Sequence, residues 1–168
     1  MTEANTPWQE SASGAVFSPC RTYRYVLWRT WDRSADQVLF VGLNPSKADE
    51  NRNDPTIRRC IAFARDWGYG GVLVANIYAY CATRPADLFK ATDPLGPDNQ
   101  SWLRSLGDSA GKIICCWGNH GLKDQAGFPL SGMDKPLYYL KLNRSGAPAH
   151  PLYLRKETRP ALWAGSGF

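Results

Sequence analysis

The sequence has no apolar stretch long enough to suggest a membrane helix and no leader-like beginning. A helix that spans a bilayer needs about 18–20 consecutive apolar residues, so a transmembrane protein is excluded and no membrane partner is expected. The first residues, MTEANTPWQESASG, lack the basic and apolar segments of a secretory signal. We expect residues 1–20 to be a poorly ordered lead-in and residues 21–168 to form one domain.

The sequence also lacks the spacings of cysteine and histidine that bind metals. The five cysteines include no Cys-x-x-Cys pair, and their odd number argues against a disulfide framework. With only two histidines in the chain, a zinc site or an iron–sulfur cluster would lack correctly spaced ligands. This composition favours reduced thiols in the cytoplasm, and we expect no cofactor.

The motifs of several large enzyme classes are missing. The chain has no Walker-type phosphate loop and no Gly-x-Ser-x-Gly nucleophile turn. The glycine-rich GYGG at 68–71 precedes an apolar run, whereas a dinucleotide-binding turn follows one. P-loop NTPases, α/β-hydrolases and Rossmann dehydrogenases are therefore excluded.

The chain has an excess of positive charge, with 20 Lys and Arg against 15 Asp and Glu. The excess lies in residues 51–84, with five basic and two acidic side chains, and in residues 129–168, with six and two. If the fold joins these segments, they form a basic face that suits a phosphate-bearing partner, a nucleic acid or a nucleotide. The alternative is a solvated surface with no partner, and the sequence does not indicate an oligomeric state.

Four short apolar runs predict the centre of an α/β sheet. They lie at residues 38–43, 72–78, 112–117 and 136–142, and residues 24–31 predict an extra N-terminal strand. Near-continuous apolar runs that close in a turn are typical of strands buried on both faces.

Two helices are predicted between these strands. Asp54-Pro55 supplies an N-cap and a first-turn proline, and apolar residues follow at helical spacing up to Gly68. A second helix is predicted over residues 97–106. The alternation predicts a three-layer α/β sandwich with a central, mostly parallel four-stranded sheet plus the N-terminal strand.

Polar residues follow the predicted strands where each strand ends. Asn44 follows the first central strand, Asn76 lies near the end of the second, and Asn119-His120 follows the third. The last strand is followed by a turn that leads to His150. Because ligands in such sheets bind outside the carboxyl ends of the strands, we expect these residues to converge on one site.

Several spaced strings together resemble an uncharacterised bacterial domain family of unknown function. They are GLNPSKAD, NDPTIRR, VANIYAY, TRPADL, CCWGNHG and HPLYL, and the resemblance runs from about Tyr23 onward. Their order and approximate spacing more distantly resemble the uracil-DNA glycosylase superfamily. That resemblance implies a glycosylase-like fold and cleavage of an N-glycosidic bond.

The resemblance also implies a base-binding or ligand-binding site. The superfamily's opening glycine-x-Asp/Asn-Pro motif is matched by Gly42-Leu43-Asn44-Pro45, and its base-reading Asn is matched by Asn76. Its His-Pro-Ser motif is matched in part by His150-Pro151-Leu152. This chain departs from the pattern at Ser46, where Gly or Tyr is usual, and at Leu152, where Ser is usual.

Each of the three polar residues has a chemical role under this resemblance. Asn44 would hold the attacking water without taking its proton, Asn76 would read one edge of a pyrimidine, and His150 would stabilise the negative charge on the departing base. Each also has a purely structural interpretation. Asn44 would make a local turn before Pro45, Asn76 would satisfy backbone groups at a strand end, and His150 would be a turn residue.

The segment after His150 is the expected nucleic-acid contact. Tyr153 and its apolar neighbours would insert between bases, and Arg155 and Lys156 would bind phosphates. Arg58 and Arg59 would add charge to the same rim. The alternatives are a last core-packing strand with a basic end and a solvated helix face.

The function that the sequence favours is hydrolysis of an N-glycosidic bond in nucleic acid or a nucleotide. A non-catalytic domain that binds nucleic acid or a nucleotide through the same cleft is the alternative. A different small-molecule hydrolase that uses the pocket is a third possibility.

Overall fold

A computed structural model describes residues 6–120, 130 and 133–163. In this part of the chain seven strands form one sheet. The strands are β1 (Ser13–Phe17), β2 (Arg24–Thr30), β3 (Gln37–Gly42), β4 (Gly71–Asn76), β5 (Lys112–Cys115), β6 (Leu137–Tyr139) and β7 (Ala161–Leu162). The helices are α1 (Pro7–Glu10), α2 (Pro55–Asp66), α3 (Pro85–Leu88) and α4 (Asn99–Ser109), with a 3-10 helix at Pro151–Tyr153.

The four predicted central strands form the parallel centre of the sheet. Strand β4 pairs with β3, β3 with β5, and β5 with β6, all in parallel. Strand β4 is buried along its whole length, and the interior of β3 is buried too. This confirms the predicted mixed α/β class and explains why these runs carry no polar alternation.

The sheet has seven strands, whereas the sequence predicts four and one extra strand. The outer pairs β1–β2, β2–β4 and β6–β7 are antiparallel, so half of the six pairings are parallel. Strand β7 has only two residues, which is too short for a periodic signal. Strand β1 contains Gly14, and glycine in a sequence argues against a β-strand. A Cβ at that position would lie 2.2 Å from the Trp28 ring of the neighbouring strand, so only glycine fits there.

Part of the expected lead-in, residues 1–20, carries secondary structure. Both α1 and β1 fall within it. Trp8 in α1 is buried in the core, and its indole N–H donates to Ser109 Oγ at 3.0 Å. This anchor attaches the segment to the end of α4. Residues 1–5 lie outside the described part of the chain.

Helices α2 and α4 cover opposite faces of the sheet. On one face Phe40 of β3 packs with Ile57 and Phe63 of α2. On the other face Leu39 packs in the same cluster as Leu103 of α4. Because successive side chains along β3 point to opposite faces of the sheet, they pack into two separate hydrophobic cores.

Both predicted helices are present, with different boundaries for the second. Helix α2 begins after Asp54, whose side chain accepts a hydrogen bond from the Ile57 N–H at 2.9 Å. Helix α4 spans Asn99–Ser109 and starts two residues later than predicted, because residues 96–98 form a turn around Gly96, which has φ of +87°. Within the described residues, no helix has both the length and the hydropathy to cross a bilayer.

Candidate functional site

A cavity of about 570 Å³ opens where the parallel strands end. Gly42 and Asn76 line it from the ends of β3 and β4, and Cys116 lines it directly after β5. Eight of the predicted site residues line this cavity: Gly42, Leu43, Asn44, Ser46, Asn76, His150, Pro151 and Tyr153. The structure thus brings together segments that are more than 70 residues apart in the chain.

Asn44 is held by two backbone carbonyls. Its Nδ2 donates to Pro45 O at 3.0 Å and to Ala82 O at 2.8 Å. Both amide hydrogens are therefore used within the protein, and Oδ1 is the atom left to accept a hydrogen bond from a ligand or a water. The contact with Pro45 is the local turn interaction that the structural interpretation predicts, and the contact with Ala82 ties this turn to the segment after β4.

Asn76 is a buried amide with an unused donor. The residue is 4% exposed, and its Nδ2 is buried with no hydrogen-bond partner. Its backbone carbonyl accepts from Asn99 Nδ2 at 2.9 Å. Leaving a buried N–H group unpaired costs about 1–3 kcal/mol, so this donor is stabilised when a ligand acceptor enters the cavity.

His150 is held in one tautomer by the 3-10 helix that follows it. Its Nδ1 accepts a hydrogen bond from the Leu152 N–H at 3.2 Å, which leaves the proton on Nε2. Burial lowers the pKa of His150 below its ordinary value, and Asp54 opposes this shift. At neutral pH the side chain is therefore a neutral imidazole with one free N–H donor.

Asp54 is a cavity residue that the sequence indicates only as a helix cap. One carboxylate oxygen accepts from the Ile57 N–H, and the residue lines the cavity at the start of α2. It is the only carboxylate in the described lining. The sequence predicts its capping role. Its position beside His150 could not be predicted, because it depends on where the tertiary fold places the segment around residue 150.

Arg24 is a second cavity residue that sequence reasoning missed. Strict alternation along β2 would place Arg24 on the same face as Val26, which lies in the core beneath α4. The register between β1 and β2 shifts at Val16 and Phe17, and this irregularity breaks the alternation. Arg24 instead lines the cavity beside Phe40, a residue of the α2 face.

The environment of Arg24 leaves its charge largely uncompensated. The residue is 3% exposed, its Nη1 donates to Ala48 O at 3.0 Å, and its Nε is buried with no partner. Burial lowers the pKa of Arg24 to about 10, which keeps it charged at neutral pH. Moving an unpaired cation from water into the protein interior costs several kcal/mol of desolvation free energy.

The segment after His150 is a 3-10 helix, so its interpretation as a last core strand is wrong. Pro151 starts this helix, and its fixed φ suits a first helical position. Tyr153 lines the cavity and is 88% exposed, whereas Leu154 packs against the core beneath α2. Leu152 does not line the cavity, and its backbone N–H serves His150 instead.

The basic side chains that were predicted to contact nucleic acid differ in their exposure and in their contacts with the protein. Arg155 and Lys156 are exposed beside Tyr153, and Arg58 is exposed on α2. Arg59 is partly buried, its Nη2 donates to the Leu154 carbonyl, and its guanidinium lies 4.6 Å from the centre of the Phe63 ring. Arg59 therefore holds the 3-10 segment against α2. These four residues and Pro45 lie outside the cavity lining.

The turn after β5 and the turn before His150 also contribute to the cavity lining. Asn119 and His120 line the cavity and are exposed. Asn119 Oδ1 accepts from Asn143 Nδ2 at 2.9 Å and from Ser145 Oγ at 2.6 Å, which joins the two turns. The polar residues that follow the strands therefore line one cavity: Asn44, Asn76, Asn119, His120 and His150.

The cysteines of the cavity are protonated thiols. Burial raises the pKa of Cys60 and raises that of Cys116 to about 12. Neither is a thiolate nucleophile at neutral pH. Among residues 6–120, 130 and 133–163, no three His, Cys, Asp or Glu side chains are grouped as metal ligands would be.

One family model matches the chain over residues 24–152, and its description is "Protein of unknown function (DUF1643)". Because the match covers more than half of the sequence, the chain belongs to this family. No curated protein matches the chain. No solved structure matches it either.

Proposed function

We propose that this member of the DUF1643 family hydrolyses the N-glycosidic bond of a base in nucleic acid, in the manner that its motifs' resemblance to uracil-DNA glycosylases implies. The observation that carries the proposal is that Asn44, Asn76 and His150 line one cavity. These are the three residues to which the resemblance assigns water, base and leaving-group roles. A cavity of about 570 Å³ also suits a nucleobase with part of its sugar.

The reaction breaks the bond between the sugar C1′ and a ring nitrogen of the base. The electron pair of that bond stays on the base, and the oxygen of a water molecule forms a new bond to C1′. The proton of the water passes to solvent, and the departing base takes up a proton when it is released. The protein must therefore position the water and stabilise a base that carries negative charge.

His150 has the protonation state that the second task needs. A neutral imidazole with its hydrogen on Nε2 donates to a base oxygen, and Leu152 keeps it in that tautomer. A donor aimed at developing negative charge in a dry site lowers the barrier by about 3–4 kcal/mol. The lowered pKa of His150 keeps this state populated at neutral pH.

Asn44 suits the first task only as a positioning group. Its Oδ1 accepts a hydrogen bond from water, but an amide does not take the proton. Because both hydrogens of Nδ2 are bound to carbonyls, the direction of Oδ1 is fixed. This arrangement predicts slow turnover.

A non-catalytic domain that binds nucleic acid or a nucleotide is the second candidate. The observation that favours it is the pair of hydrogen bonds from Asn44 to Pro45 and Ala82, which gives Asn44 a structural role without catalysis. Exposed Tyr153 with Arg155 and Lys156 beside the cavity would serve a binder equally well.

The two candidates are separated by incubating the full chain with oligonucleotides that carry uracil, mismatched or modified bases. The enzyme produces abasic sites, which appear as alkali-labile breaks. His150→Asn keeps an acceptor for the Leu152 N–H but removes the ring donor, so the rate should fall about 100-fold to 1,000-fold with binding retained. Asn51→Ala, an exposed position outside the cavity lining, is the matched control and should leave the rate unchanged. Salt-sensitive binding with no abasic product across the whole panel would establish the second candidate.

A further inference from the structure

Arg24 is the only buried charged side chain in the described part of the chain. Its one side-chain hydrogen bond there goes from Nη1 to a neutral carbonyl, that of Ala48, and its Nε has none. The ion pairs in that part of the chain are Arg21 with Glu50 and Arg84 with Asp87, so Arg24 has no carboxylate partner. A guanidinium in this state is ready for an anion from outside the protein.

A second unused donor lines the same cavity. Asn76 Nδ2 is buried without an acceptor, as Arg24 Nε is. The lining between the strands and α2 is apolar and includes Phe40, Ile57 and Val74. An apolar lining with two unused donors fits a flat ring that carries negative charge better than a hydrated phosphate.

The other ionisable groups around Arg24 do not replace this anion. Asp54 acts on Arg24 electrostatically, but it forms no ion pair with it, and one of its oxygens caps α2. Cys81 is a raised-pKa thiol that is neutral at pH 7, and Arg29 adds like charge. Of the remaining titratable residues in the cavity lining, Cys60 and Cys116 are protonated thiols because burial raises their pKa values. His120, Lys141 and His150 are bases that carry no negative charge, and Tyr153 is 88% exposed.

We propose that Arg24 is the counter-charge for an anionic nucleobase, one whose ring nitrogen has lost its proton, with Asn76 Nδ2 donating to the same ring. This inference rests on the proposed function, and it adds a leaving-group role for a residue outside the motifs of the resemblance. Arg24 keeps its proton throughout the reaction and stabilises the electron pair that the base retains when the bond to C1′ breaks. The site would then favour acidic bases over neutral ones of the same shape.

The test compares uracil with 5-fluorouracil, which are nearly equal in size and present the same ring edges. Fluorine makes the ring N–H more acidic, so 5-fluorouracil ionises at a lower pH. Titration calorimetry with the full chain, from neutral pH to about pH 9, stays below the pKa of Arg24. Because the anion is the bound form, 5-fluorouracil should bind more tightly than uracil near neutral pH, by about 10-fold for each unit by which fluorine lowers the pKa of the ring. This advantage should shrink toward pH 9, where uracil ionises as well.

The variant Arg24→Met keeps the length of the side chain and removes its charge. We expect it to lose the advantage for 5-fluorouracil at every pH, and Arg24→Lys to restore part of that advantage. Arg104→Met, an exposed arginine on α4, is the matched control and should behave as the unmodified chain does. The ligand-free Arg24→Met protein should also have a higher melting temperature, because it no longer buries an unpaired charge. A purely structural arginine would give a lower one.

Several results would overturn the assignment. One is an equal pH profile for the two bases in the unmodified chain, a result that needs no variant. Another is an advantage in affinity for 5-fluorouracil over uracil that persists in Arg24→Met. Equally tight binding of inorganic phosphate would assign Arg24 to an oxyanion instead of a ring.

Failure of the two proposals is distinguishable. Arg24-dependent binding of the ring anion with no abasic product would reject hydrolysis and retain the role of Arg24. Abasic product with no dependence of binding on Arg24 would do the reverse.

Discussion

Gly42 and Asn76 are register partners at the ends of β3 and β4, and the Asn76 amide occupies the space where a side chain at position 42 would be. A Cβ on residue 42 would lie 2.8 Å from Asn76 Oδ1, which is closer than real contacts allow. The glycine of the GLNPS string is therefore explained by the asparagine that it faces, 34 residues later in the chain.

Gly42→Ala should displace the Asn76 side chain and weaken ligand binding without unfolding the protein. The clash involves the end of a side chain and no backbone atom, so the sheet can persist. We expect about a 10-fold loss in affinity, comparable with the loss of one hydrogen bond. The measurement is calorimetry on Gly42→Ala, Asn76→Ala and the double variant. If position 42 acts through Asn76, the double variant matches Asn76→Ala, whereas additive losses would contradict the relationship.

His150 should make stability fall as the pH falls. Its pKa is lowered in the folded protein, so the unfolded chain binds more protons below about pH 6.5, and acid therefore favours unfolding. Protonation also removes the Nδ1 lone pair that accepts from Leu152. The melting temperature should be measured from about pH 7.5 to pH 5 for the unmodified chain and for His150→Asn, which caps without titrating. The unmodified chain should lose more stability over this range, and parallel curves would contradict the assigned tautomer.

Asn44→Asp should destabilise the fold more than Asn44→Ala does. A carboxylate at this position faces the carbonyl oxygens of Pro45 and Ala82, which now accept from Nδ2. Loss of the two hydrogen bonds in the alanine variant should cost about 1–3 kcal/mol, and charge repulsion should add to this in the aspartate variant. Urea unfolding at neutral and at acidic pH checks both values. The difference in free energy of unfolding between the two variants should become smaller at acidic pH, because a protonated carboxyl can again donate a hydrogen bond to one carbonyl.

Tyr153, Arg155 and Lys156 should carry binding to nucleic acid in different ways. Tyr153 is 88% exposed beside the cavity, so Tyr153→Ala should lose stacking worth about 1–3 kcal/mol with no change in salt dependence. The double variant Arg155→Ser and Lys156→Ser should instead lower the slope of log affinity against log salt by about 1.4–1.8. Fluorescence anisotropy with single-stranded and duplex oligonucleotides at several salt concentrations separates the two effects. An unchanged slope in the double variant would show that these side chains are solvated.

Local patterns in the sequence predict the central strands, the start of α2 and the edge of the sheet at which polar residues gather. These are local properties: an apolar run buried on both faces, Asp54 as a cap before a proline, and polar residues directly after strands. The convergence of Asn44 and Asn76 follows because their strands are parallel, and their carboxyl ends therefore meet at one edge.

The face on which a side chain lies and the partner that it contacts follow instead from the packing of distant segments. Arg24 enters the cavity because the register between β1 and β2 shifts, and a shift of one residue moves a side chain to the opposite face. Asn44 is fixed by the carbonyl of Ala82, 38 residues away, and Tyr153 is exposed because its segment turns into a 3-10 helix held by Arg59. Such contacts depend on pairings between distant segments, which a local pattern does not encode.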